Sequence, residues 1–170
     1  MGNCEKKTLK LTNLQIEMLL APTPIGIAFK GILGDAKGWT KKQPEAYYWL
    51  NRFADRMNSV IQTYLKMKNQ YLEEHGIKGE DGKLLMAGKH VALDDSDFFK
   101  KPTEFAEKMS KIQSIEEDIG FYPIKIDWSN IPELENPLQM QVLMMLCEPD
   151  KKLEVDSKQA NDSNAIDLSL

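Results

Sequence analysis

Few residues in this chain are of types that do chemistry, and their spacing limits what they can do. His75 and His90 are the only histidines, and Cys4 and Cys147 the only cysteines. Neither histidine lies at a spacing that builds a metal site or pairs with a nucleophile, and no metal-ligand spacing surrounds either cysteine. His75 closes a helical pattern, where an imidazole caps carbonyls or meets the helix dipole. His90 falls in a short strand-like run. Glu116, Glu117 and Asp118 are consecutive, and on a helix they would point in different directions, which reads as a solvated face and not as a pair of catalytic carboxylates. Gly31, Gly34 and Gly38 do not follow a strand with phosphate-loop spacing, and they read as loop glycines. Met140, Met144 and Met145 read as core filler, with an adaptable binding surface as the alternative. The residues thus name no catalytic group, no metal ligand set and no cofactor motif.

What remains is aromatic. Tyr47, Tyr48 and Trp49 open the longest helical pattern in the chain, and Tyr48 falls nearly opposite the apolar seam when Leu50 lies on it. Aromatic residues on an outer face often anchor partners. Tyr48, with Trp49 and Tyr47 beside it, is therefore the candidate protein-binding site. The competing expectation is that the N-terminal helices cover this end.

The element that must position these residues runs from Pro44 to His75 as one long helix. Leu50, Phe53, Met57, Val60, Tyr64, Met67 and Tyr71 recur in steps of three and four, a heptad seam centred on Val60. Ala54, Ile61, Leu65 and Leu72 widen it into a core-facing stripe. At ~1.5 Å per residue this helix would be on the order of 48 Å long. A helix from Pro102 to Ile119, closed by Gly120, covers only about half of that length, so the remaining seam needs the short helices or another molecule.

The other elements are shorter. Lys7 to Leu11 alternates as a strand, Thr12 and Gln15 open a helix as a capping box, and Thr23-Pro24 starts the next. Trp39 to Gln43 is an extended lead-in to the long helix. Gly76 ends that helix in the left-handed conformation common at helix termini, and Glu80-Asp81-Gly82-Lys83 is a tight turn. Leu84 to Met86 with His90 to Leu93 form either a hairpin or two isolated strands. Phe98 and Phe99 dock on the core from a polar loop. Tyr122, Ile124, Ile126 and Trp128 alternate with Pro123, Lys125, Asp127 and Ser129, the best strand signal in the chain, and Pro123 makes it an edge strand. Asn136-Pro137-Leu138-Gln139 opens a last helix. The fold class is mainly α with some β: the long helix in an antiparallel helical hairpin, short flanking helices and a small strand element.

The chain has 170 residues, enough for one domain with a real core. Residues 1–147 read as that single domain and 148–170 as a polar tail without a fixed structure of its own. Formal net charge is -4, and the tail carries six acids against three lysines. The body is close to neutral, without the basic footprint of a nucleic-acid binder. Asp94, Asp95 and Asp97 form a local acidic cluster, too small for a mimic of DNA. No apolar run is long enough to span a bilayer, and there is no secretory signal. Met1-Gly2-Asn3-Cys4 suggests acylation, but Lys6 stands where that motif needs Ser or Thr. The two cysteines suit a reduced, intracellular setting.

The order of parts resembles a family of small helical proteins of unknown function encoded by phages and prophages. The resemblance rests on Pro24-Ile25-Gly26-Ile27-Ala28-Phe29-Lys30 ahead of a long helix, on Tyr71-Leu72-Glu73-Glu74-His75-Gly76 followed by Glu80-Asp81-Gly82-Lys83, and on Lys101-Pro102-Thr103-Glu104-Phe105 opening a helix. Ile124-Lys125-Ile126 and the closing apolar helix complete it, over roughly Lys7 to Cys147. The Trp39 to Gln43 lead-in and the long polar tail depart from the pattern. It implies a phage protein at work in the host cytoplasm, and it brings no functional residues with it.

The reading that follows is non-enzymatic: protein contacts in virion or tail assembly or with a host factor, or between copies of this chain, without nucleic acid or membrane. The alternatives are a small hydrolase or nuclease with a dispersed acidic site, and a protein that sequesters a small ligand such as a nucleotide.

Overall fold

The computed structural model describes residues 5–147. The acylation motif and the polar tail lie outside these residues. Where the sequence suggests one domain, contacts group the described residues into two compact units. The protein is mostly helical with one small antiparallel sheet.

The first unit comprises residues 5–11, 15–60 and 116–147. Strand β1, Lys7–Thr12, pairs with β2, Glu116–Phe121. The period of two is visible in both: Leu9 and Leu11 on one strand, Ile119 and Phe121 on the other, are buried while their neighbours face water or lie half-covered. Helix α1, Asn13–Leu20, turns sharply into α2, Pro24–Leu33. Thr23 makes that turn: its Oγ1 accepts from the Gly26 amide at 3.1 Å and donates to the Met18 carbonyl at 2.5 Å, an N-cap of the expected kind. Helix α3, Trp39–Lys42, replaces the extended lead-in with one helical turn and buries Trp39 completely. Helix α4, Pro44–Val60, lays Leu50, Phe53, Ala54 and Met57 inward, and Phe53 meets Phe29 and Phe121 edge-on. The last helix, α7, Pro137–Cys147, packs on α2. Buried Gln139 joins them, donating from Nε2 to the Ala28 carbonyl at 3.2 Å and accepting from the Glu135 amide at 2.7 Å. Gly31 leaves room for it, since a Cβ there would lie 2.9 Å from that Nε2.

The second unit comprises residues 12–14 and 61–115. Helix α5, Gln62–His75, pairs with α6, Pro102–Gln113. They run antiparallel: Phe105 meets His75, and one turn further along α6 Lys108 meets Tyr71 and Glu74, further back along α5. Phe99 is buried and stacks on Phe105 with centroids 4.3 Å apart, the docking expected of it. Asn13 closes the far end of α6, donating from Nδ2 to the Ile112 carbonyl at 2.9 Å and from its amide to the Ile115 carbonyl. The Gly79–Lys83 turn forms as expected, with Gly82 left-handed.

Besides the lead-in, and Gly31, which lies within α2 and not in a loop, five expectations need correction. The Pro44 to His75 helix is interrupted at Ile61, where Asn58, Ser59, Val60 and Ile61 put four residues of modest helix propensity in a row and Asn58 bonds back to the Ala54 carbonyl. The helix from Pro102 stops at Gln113, not Ile119; Glu116 to Phe121 pairs with β1 instead, so Glu116 and Asp118 share the exposed face of a strand. The alternating Tyr122 to Ser129 stretch is not a strand. It ends in a 3-10 turn, Trp128–Asn130, because the Asp127 carboxylate captures the Ser129 amide and hydroxyl. Leu84 to Met86 and His90 to Leu93 form neither hairpin nor strands, and only isolated bridges such as Lys78 with Leu84 occur. Gly76 has φ -68° and ψ 135°, so it is not left-handed; glycine is needed there because a Cβ would crowd the Leu84 side chain and the Leu72 carbonyl.

Candidate protein-binding site

Helix α4 carries the three aromatic residues singled out above, and one turn of helix sends them three ways. Tyr47 turns inward: it is half-buried and its hydroxyl donates to the Leu33 carbonyl at 2.8 Å, tying α4 to the end of α2. Trp49 is half-buried. Tyr48 leaves 56% of its surface exposed, as its place opposite Leu50 requires. The Tyr48 ring meets Trp49 edge-on with centroids 5.0 Å apart, and Trp49 in turn meets Tyr122 at 4.9 Å. Three rings in a row, two of them wedged, hold the third out toward solvent. Such a row offers broad, rigid apolar area at low entropic cost. Arg52 follows one turn after Tyr48, exposed; Arg56, a turn further, is drawn inward to donate to the Gly120 carbonyl.

Tyr122 was not singled out in the sequence because it read as one position of an alternating strand. The segment it begins is fastened at its other end too. Buried Gln43, just ahead of α4, donates from Nε2 to the carbonyls of Asp127 and Asn130, both at 3.0 Å, and accepts from the Asp127 amide at 3.3 Å. The signal in the sequence was Asp127-Trp128-Ser129-Asn130, an Asx-turn pattern outweighed by the alternation around it.

The Ser129 hydroxyl and amide hold the Asp127 carboxyl below its ordinary value of 3.8. A lowered carboxyl stabilises the fold above the unfolded pKa and loses that contribution as pH falls through the folded one, so the turn should weaken only below about pH 4. Ser129→Ala should move the Asp127 carboxyl back up toward its ordinary value in an NMR titration of the side-chain carboxyl carbon. An unchanged titration would mean that the hydroxyl does not bond the carboxylate. Thr40 lowers Asp35 in the same way, through its hydroxyl and its amide.

The groups with chemical capacity in the second unit are engaged structurally. His75 is buried. Its Nδ1 lies 3.1 Å from the Lys100 carbonyl and its Nε2 3.1 Å from the Lys108 amine. A carbonyl can only accept and an ammonium only donate, so the ring proton sits on Nδ1. Both ring nitrogens are thereby occupied. Lys108 also lies 3.3 Å from Glu104, whose carboxyl its hydrogen bond holds below the ordinary range. His90 is exposed. Among the described residues no group of three or more His, Cys, Asp and Glu side chains is placed to hold a metal ion. Of the methionines, Met145 is buried, Met144 half-buried and Met140 exposed. No single helix among the described residues is long and apolar enough to cross a membrane. The bent pair α1 and α2 reaches that length and composition only jointly, and its Ile16, Leu19, Ala28, Phe29 and Ile32 are buried.

Comparison of the chain with protein-family models, with curated proteins and with solved structures finds no match in any of the three.

Proposed function

We propose that this is a non-enzymatic phage or prophage protein that works in the host cytoplasm through protein contacts, in virion or tail assembly or by binding a host factor, with Tyr48 and Trp49 in the contact. The observation that supports this reading is the outward Tyr48 ring, held in place by Trp49 and Tyr122 while Tyr47 is consumed internally. An aromatic anchor held rigidly before binding gives up little entropy when a partner covers it. The phage setting rests on the sequence resemblance alone.

The expected result of Tyr48→Ala follows. Tyr48 contributes little to the core, so the melting temperature should change by no more than about 1 °C, whereas an anchor of this kind carries about 2 kcal/mol of binding, roughly thirtyfold in Kd. Paired capture from host cells with wild-type and Tyr48→Ala bait reads this directly: the partner is the protein retained by the first and lost from the second. Light scattering over a concentration series, with and without the change, separates a second copy of this chain from a foreign partner. A Tyr48→Ala protein that keeps every partner, or that unfolds well below wild type, would remove Tyr48 from the interface.

A further inference from the structure

Glu45, Tyr48, Arg52 and Asp55 share the outward face of α4: at about 100° per residue they fall within about 80° of arc, opposite buried Leu50 and Met57. All four are exposed. Glu45, Arg52 and Asp55 form no ion pair among the described residues, although Arg52 and Asp55 stand three apart on one helix. Arg56, at the edge of this face, is turned inward to the Gly120 carbonyl. The face is thus an aromatic ring with a carboxylate one turn before it and a guanidinium one turn after it. Neither an acidic nor a basic partner is favoured by such a mixture. What discriminates is the order of the signs.

Reversing the helix exchanges the signs, so the face is complementary to itself. An antiparallel second copy, centred between Tyr48 and Trp49, meets Glu45 with Arg52 and Arg52 with Glu45, on either side of two Tyr48 rings. Seven residues of helix span ~10.5 Å, so each pair lies only ~5 Å from the two-fold axis, where two crossing helices are still in contact. Sliding the copies by one turn would bring Glu45 to Asp55, and parallel copies would set each charge against itself. In the complementary register Asp55 lies level with the α3 turn of the other copy. Lys41 and Lys42 are exposed there and Asp35 is bonded by Thr40, which leaves that outer contact close to neutral. We infer that the occupant of the Tyr48 surface is a second copy of this chain, bound α4 on α4 and antiparallel. The inference rests on the reading of Tyr48 as a contact residue and names its partner: the rings supply the burial, and the two rim pairs set partner and orientation.

The test is an exchange of charges in the full chain, read by sedimentation equilibrium. A single-helix interface is at the weak end of the range, so the protein is taken to about 200 μM at low salt, where the wild type should be dimeric. Glu45→Arg and Arg52→Glu each set like charges face to face in both pairs, and each alone should raise the dimer Kd at least about tenfold. Mixed one to one, the two variants should dimerise with each other, because both pairs are then again of opposite sign. The chain that carries both changes should dimerise by itself. Melting curves of each variant control for folding. Single variants that dimerise like wild type, or a mixture that stays monomeric where wild type is dimeric, overturn the α4 pairing. A wild type that is monomeric at every concentration overturns the second copy as occupant. Loss of a foreign partner on Tyr48→Ala would then leave the contact surface standing without it, whereas a Tyr48→Ala chain that keeps every partner removes both.

Discussion

Gly26→Ala should be the most damaging small change in the first unit. Gly26 is buried in the first turn of α2, and a Cβ there would drive into the Ala21 carbonyl oxygen and lie 2.7 Å from the Met18 carbonyl oxygen. Both obstacles are backbone, and both are engaged: Ala21 accepts from the Thr23 amide at 2.8 Å and Met18 from the Thr23 hydroxyl. Relief therefore requires opening the α1–α2 turn and withdrawing Phe29 and Ile32, both fully buried, from the core. We expect a loss of about 3–5 kcal/mol, the upper range for a single substitution, and a fall in melting temperature of roughly 10 °C. Gly34→Ala is the control. Gly34 is right-handed at φ -73°, and its Cβ would sit 3.3 Å from one carbonyl at the end of the same helix, so less than about 1 kcal/mol should be lost. Calorimetry of the two variants side by side decides; equal melting would mean that α1 and α2 do not meet as described.

The second large effect separates two neighbours. Ile61 is 1% exposed, whereas Val60 is half-buried. Ile61→Asp places an unpaired carboxylate among apolar neighbours and should cost about 4 kcal/mol or more, while Val60→Asp lets the carboxylate reach water and should cost about 1–2 kcal/mol. Urea unfolding of the two variants measures the difference. The heptad reading puts Val60 at the centre of the seam and predicts Val60→Asp as the severe change. A larger loss at Val60 than at Ile61 would restore that register.

The register itself shows where pattern reading succeeds and where it drifts. Leu50, Phe53 and Met57 are buried as the seam requires, but beyond the break the buried positions are Ile61, Tyr64, Lys68, Leu72 and His75 in place of Val60, Tyr64, Met67 and Tyr71. The break at Ile61 separates the two stripes, and a heptad carried from the first helix into the second does not keep its register across it. A heptad fitted to the first half therefore runs one residue early in the second. Lys68 and His75 lie inside the resulting stripe, positions that hydrophobicity would never have selected.

By itself the sequence determined what depends on local backbone chemistry and on composition. The mainly helical class, the Thr23, Pro44, Pro102 and Pro137 helix starts, strand β1, the Gly79–Lys83 turn and the outward placement of Tyr48 were all legible, because a cap, a fixed proline φ, a period of 3.6 or a glycine at positive φ acts within a few residues. Only the tertiary structure decided what depends on a distant partner. Glu116 to Phe121 became a strand because β1, more than a hundred residues away, offers a ladder and α4 covers Ile119 and Phe121. The alternating stretch after it pairs with no strand, and Gln43 fastens its end into a turn. That same fastening set Tyr122 against Trp49 and left Trp128 facing water, so the members of the aromatic surface beyond Tyr48 and Trp49 were chosen by long-range hydrogen bonds that no local pattern encodes.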